Sequence, residues 1–307
     1  YTCFLKSSIR KSENDMLNFS ITLILFSLLE VSSKPLMFFV DAVVLTFYRF
    51  ALGLVTLIVF AYYKNILGEI KKIAPAELRT LALLGIINTA LAMSLLQLAV
   101  KYSNAATAAV IFCSNPFFVF IFSIISGEEK FNMRCFAGII AGIGGVVLVM
   151  SRHGFHIGAG ALFAVLASMM FAVYLIANKK AAAHCKPVNV NIVSFFAGLV
   201  VTAAYLLVSG RGLLLPHGFF SKPANFFILL FLGIAVSGAG YITFINTIKR
   251  YSPISASVIF LLKPALATLF AVALIGEKPD AMFYYGLLLV MAGSWLILSS
   301  KYYKTVH

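Results

Sequence analysis

Charge is thin in this chain. Asp, Glu, Lys and Arg make up 11% of its 307 residues, and only ten of them are acidic, where a soluble domain carries about 25% charged residues. Hydrophobic residues reach 62%, more than a water-soluble fold can bury but suited to a bilayer. The four cysteines (Cys3, Cys113, Cys135 and Cys185) form no C-x-x-C pair, so neither a disulfide framework nor a zinc site is signalled. His153 and His156 in "HGFH" lack further ligands nearby, and no metal site is expected. The patterns H-E-x-x-H, G-x-S-x-G and the P-loop are all missing, so no catalytic residue and no cofactor is assigned and the chain is not read as an enzyme. No A-x-A-like cleavage site precedes Pro35, and the first apolar run is therefore read as a membrane helix and not a signal peptide.

What the chain has is long apolar runs. Ten are long enough to cross a membrane: residues 17–38, 42–63, 76–100, 104–126, 132–151, 158–178, 188–209, 225–248, 253–275 and 280–300. The separators combine charge with Gly and Pro and are too short to hold a soluble domain. Only "KYSN" and "KRYSP" join the third span to the fourth and the eighth to the ninth, so each pair is expected to be an antiparallel hairpin.

The net charge of +14 could suggest a nucleic-acid partner, but its distribution points to the membrane. With the N-terminus in the cytoplasm, sixteen Lys and Arg fall on the inner side and five (Lys101, Arg152, Arg211, Lys222 and Lys278) on the outer. That positive-inside bias predicts a multi-pass protein of the cytoplasmic membrane with both termini in the cytoplasm and no nucleic-acid partner.

The apolar text is also written twice. "VIFCSNPFFVFIFSIISGEEK" (110–130) returns as "VIFLLKPALATLFAVALIGEKP" (258–279), pairing Pro116 with Pro264, Gly138 with Gly286 and Gly145 with Gly293. Upstream, Gln97 pairs with Asn246 and Tyr102 with Tyr251. Five helices per half is an odd number, so the copies must enter the membrane from opposite sides. The fold expected is all-α and integral to the membrane, with ten helices in two inverted five-helix repeats at 17–151 and 158–300. A segment 1–16 precedes them and a tail 301–307 follows. Inverted repeats of this kind place a substrate site near the midplane between the halves.

"LTFYRFALG" in the second span, with "KYSNAATAAVIFCSNPFFVFIFSIISGEE" and "RYSPISASVIFLLKPALATLFAVALIGEK", each of the last two followed by a Gly-containing helix, resembles the two EamA repeats of the drug/metabolite transporter superfamily. The resemblance implies secondary transport or export of small metabolites without ATP hydrolysis. It leaves the substrate open, although the basic motifs of sugar-phosphate relatives are absent.

Ionisable groups inside a span are costly and face water, a partner or substrate. Four qualify: Glu30, Lys34, Arg49 and Lys263. Lys263 is the deepest, too far from either helix end for its head group to snorkel easily. Glu30 and Lys34 stand four apart in the order that favours an ion pair, and they are the candidate coupling groups. Lys263, Asn115, Arg49, Gln97 and Asn246 are the candidate substrate-binding residues. The plainer readings are an ion pair for Glu30, a backbone clamp for Arg49 and interhelical glue for Asn115 and Gln97. Three cations and one carboxylate leave an excess of positive charge, which a carboxylate-bearing substrate such as an amino acid would offset. Pro116 and Pro264 each remove a helix hydrogen bond, predicting two broken helices beside Asn115 and Lys263. The small residues Gly138, Gly142 and Gly145 let a helix pack closely within the bundle. The partners expected are a small-molecule substrate and the lipid bilayer, with proton coupling as one option and a monomer or homodimer as the assembly. The competing reading is a structural or receptor-like membrane protein.

Overall fold

The computed structural model describes residues 2–127, 132–150, 158–181 and 185–306. "GEEK" from Glu128 onward, and the histidines of "HGFH", lie outside the described residues. Among those described there is no strand. Among the described residues nine helices are long and apolar enough to cross a membrane, and a shorter apolar helix, Ile259–Ile275, supplies the ninth span of ten. Their outward faces carry large apolar side chains such as Ile125, Leu288 and Trp295, as a hydrocarbon solvent requires.

The helical stretch Gly240–Ile275 is not a single rod. Phe244 and Phe260 lie sixteen positions apart, about 24 Å along a straight helix, yet their ring centroids are 5.8 Å apart. The chain doubles back between them, and the eighth and ninth spans form a hairpin.

The two repeats are related by a pseudo-two-fold axis, and glycines reveal it. A Cβ on Gly138 would meet the Gly293 carbonyl oxygen at 2.7 Å, and one on Gly145 the Gly286 oxygen at 2.6 Å. Because Gly138 corresponds to Gly286 and Gly145 to Gly293, these contacts exchange equivalent residues, as across a two-fold interface. Helices Met133–Met150 and Ala281–Val306 therefore run antiparallel, which is the inverted arrangement. Aligning "RFALGLV" (49–55) with "SFFAGLV" (194–200) makes Gly53 equivalent to Gly198 and Phe50 to Phe195. A Cβ on Gly53 would lie 2.9 Å from Ser237 Cβ, and one on Gly198 would lie 2.5 Å from Thr89 Cβ. Phe50 and Phe195 touch each other, centroids 4.7 Å apart, so they sit on the axis. The third and eighth spans both contain a π-helical stretch, Ile86–Ala92 and Phe231–Ala239, a feature common where helices serve function.

Only one of the two expected proline breaks is present. The fourth span divides into Ala105–Phe112 and Asn115–Ile125. There the Asn115 side-chain amide donates to the Phe112 carbonyl (3.1 Å), the acceptor that the missing Pro116 N–H would have used. The Ser114 hydroxyl donates to Ile111 O (2.6 Å). In the second copy the helix continues through Pro264, where Leu262 and Lys263 stand in place of the Ser114 and Asn115 side chains that bond the carbonyls at the first break.

Candidate functional site

The first span, Met16–Leu36, and the ninth, Ile259–Ile275, bring two of the candidate residues together near the axis. Lys263 Nζ donates to Glu30 Oε1 at 2.6 Å, with side chains 1% and 0% exposed. The ammonium also lies 4.9 Å from the centroid of the Phe112 ring, a cation–π contact. Arg49, on the second span Ala42–Tyr63, is buried in the same place with its guanidinium 4.7 Å over Phe50.

Arg49, Lys263, Ser237 and Tyr241 share a cavity walled by aromatic rings, among them Phe26, Phe112, Phe171 and Phe260. Two-fold symmetry relates Phe26 to Phe171 and Phe112 to Phe260. Several polar atoms here have no hydrogen-bond partner among the described residues: Arg49 Nε and Nη1, Glu30 Oε2 and the Ser237 hydroxyl. Buried polar groups left unpaired are expensive; Arg49 and Ser237 line the cavity itself, and Glu30 lies behind Lys263, which also lines it. The space open to the centre of a water molecule is only about 20 Å³, enough for water but not for a metabolite.

The remaining candidates lie elsewhere. Lys34 does not pair with Glu30. Its ammonium donates to Val100 O (2.8 Å) and to Ser103 O, the carbonyls that end the third span. Such carbonyls have no partner within their helix and favour a cation, while Glu30 compensates the charge of Lys263, which would otherwise be buried alone. Gln97 is buried and donates to the Ser33 hydroxyl at 3.2 Å, outside the cavity lining. Asn115 serves the helix break. Asn246 is exposed on the bundle and does not line the cavity. Sequence reasoning missed Tyr241, Ser237 and the four phenylalanines, which nothing distinguishes from lipid-facing aromatics in a chain with 29 Phe. It also missed Glu277, whose carboxylate accepts from the backbone N–H of Ala105 (2.6 Å) and Ala106 (3.1 Å). Among the described residues no cluster of His, Cys, Asp or Glu could hold a metal ion.

Comparison with known proteins agrees with this architecture. The model of the "EamA-like transporter family" matches twice, over residues 16–151 and 158–299. A Clostridium kluyveri protein described as an uncharacterized transporter is 32% identical over 92% of each chain. The "S-adenosylmethionine uptake transporter" of Rickettsia felis is 22% identical, again over 92% of each. A Streptantibioticus cattleyicolor protein named "Probable terminal-alkyne amino-acid exporter" is 26% identical over 63% of this chain and 64% of its own. A solved crystal structure superposes with a TM-score of 0.64 at 21% identity, covering 92% of this chain and 96% of that one, so the fold is shared.

Proposed function

The chain belongs to the EamA-like transporter family, and from that membership we propose that it is a secondary transporter. It moves a small carboxylate-bearing metabolite, an amino acid or a molecule built on one, across the cytoplasmic membrane by alternating access. The observation that carries this reading is the buried Arg49 guanidinium, with two nitrogens unpartnered among the described residues, at a cavity also lined by Lys263, the ion-pair partner of Glu30. With Lys34 engaged at a helix end, two cations and one carboxylate remain at the centre. A net positive charge in a low-dielectric interior favours an anionic guest, and a planar guanidinium is shaped for a carboxylate. The solutes in two relatives' names, S-adenosylmethionine and an amino acid, both carry an α-amino-carboxylate head.

In the proposed cycle the two inverted halves separate first on one side and then on the other, exposing the same residues to each. Glu30 couples the cycle: a proton on its carboxylate dissolves the pair with Lys263 and frees that ammonium for the substrate.

Uptake into proteoliposomes, with and without a pH gradient, tests the proposal, using an amino-acid mixture and S-adenosylmethionine as probes. Arg49→Gln deletes the charge and should raise the KM for an accepted solute about ten- to a hundredfold, the worth of one charged hydrogen bond. An unchanged KM would remove Arg49 from the site. Flux no greater than in protein-free vesicles for every probe would favour the receptor-like or structural reading.

A further inference from the structure

The turn between the third and fourth spans, residues 100–106, is gripped from both sides by charge. Lys34, on the first span, holds its carbonyl end at Val100 and Ser103. Glu277 follows Gly276, the left-handed residue (φ +68°) that ends the ninth span. It holds the amide end with both carboxylate oxygens, one on Ala105 N and the other on Ala106 N. A cation on helix-end carbonyls and an anion on helix-start amides are each the favourable sign. Glu277 is also close enough to Lys34 to attract it.

The same two spans meet at the centre through Glu30 and Lys263. The first span thus supplies the acid at the centre and the base at the end, and the ninth span supplies the reverse. Other charge contacts on this face, Asp41 with Lys101 (3.7 Å) and with Arg211 (3.2 Å), are solvent-accessible and contribute little.

We infer that Lys34 and Glu277 form a latch that keeps the central cavity closed on the face carrying Glu277, and that the pathway opens there only when Glu277 releases the amides of Ala105 and Ala106. The inference rests on the transport reading of the central site. Lys34 lies one helical turn from Glu30, so any event that dissolves the Glu30–Lys263 pair frees the first span to move and reaches the latch directly. Helix capping alone would cost stability when lost, but it would not change which face reaches the cavity.

Accessibility of the cavity separates the two roles. A single cysteine at Ser237, in a cysteine-free background, reports on the cavity. An impermeant maleimide is applied in turn to intact cells and to inverted vesicles, and Lys278→Cys identifies which preparation presents the Glu277 face. With no solute added, Lys34→Met and Glu277→Gln should each speed labelling from that face about tenfold or more, the scale of one lost charged hydrogen bond. Glu69→Gln, which breaks the exposed 2.5 Å pair with Lys186 elsewhere on the protein, should leave that rate unchanged. If Lys34→Met fails to fold, Glu277→Gln decides alone. A parental labelling rate in folded Glu277→Gln overturns the latch. Because no solute enters the assay, that failure is distinct from an absence of flux, which would instead refute the transport reading.

Discussion

Removing one member of the Glu30–Lys263 pair is the most informative perturbation of the centre. Both side chains are buried and 2.6 Å apart, so Lys263→Met strands a carboxylate whose second oxygen already lacks a partner among the described residues. Breaking a buried pair from one side costs about 3–5 kcal/mol, whereas replacing both members is often neutral. Lys263→Met and Glu30→Gln should each lower the thermal midpoint of the purified protein by roughly 10 °C. The double variant should recover most of that loss, with a coupling of about 3 kcal/mol in the cycle. Melting followed by size-exclusion chromatography gives the stability arm, and proteoliposome uptake gives the functional arm. A double variant that is stable but does not transport assigns the pair to the cycle. One that is stable and transports normally makes it structural. If the single losses simply add, the two groups do not act as a unit and the site described here is wrong.

Three further outcomes follow from the geometry. Gly145→Leu should destabilise the protein or block its insertion, because even a Cβ would lie 2.6 Å from the Gly286 backbone oxygen. Expression and melting would show it, and a neutral result would place the axis elsewhere. Burial, and then the neighbouring Glu77 carboxylate, pushes the Cys185 thiol above its ordinary range. Less thiolate therefore forms at neutral pH, and Glu77→Gln should speed maleimide labelling of Cys185, with the labelling profile shifted to lower pH. Single cysteines at Lys186 and Lys278 should label from opposite faces of the membrane; labelling from one face contradicts the three crossings by the seventh, eighth and ninth spans between them.

Much of this architecture is legible in one dimension, because a bilayer reduces folding to length and hydropathy and because the repeat carries its own symmetry. The cost of burial singles out Glu30, Arg49 and Lys263 without any structure. Their pairing is not legible. Spacing within one helix made Lys34 the natural partner of Glu30, while Lys263 stands 233 residues away and helix-end carbonyls leave no mark in sequence. Asn246 shows a subtler failure. Sequence matching sets it opposite Gln97, but the glycine contacts equate Thr89 with Ser237, a register one residue different. One residue turns a side chain about 100° around a helix axis, enough to place Gln97 in the interior and Asn246 on the exterior.

That register also explains where the asymmetry of the site lies. The phenylalanine walls obey the two-fold, but the charges do not: matched span by span, the counterparts of Glu30, Arg49 and Lys263 are Leu175, Ser194 and Asn115. The first and ninth spans are consequently tied by an ion pair, whereas the corresponding sixth and fourth spans meet through the weaker contact of Ser114 with Ser168 (3.2 Å). Two inverted halves of identical composition would give the two open states equal energy. An ion pair between only one of the two equivalent span pairs would make them unequal, and in the proposed cycle a proton or carboxylate that competes for Glu30, Lys263 or Arg49 would change the difference. A ligand shifts such an equilibrium only through its unequal affinity for the two states. On the proposed transport reading, the departure from symmetry at Lys263 and Asn115 would let solute binding act on the direction in which the cavity opens.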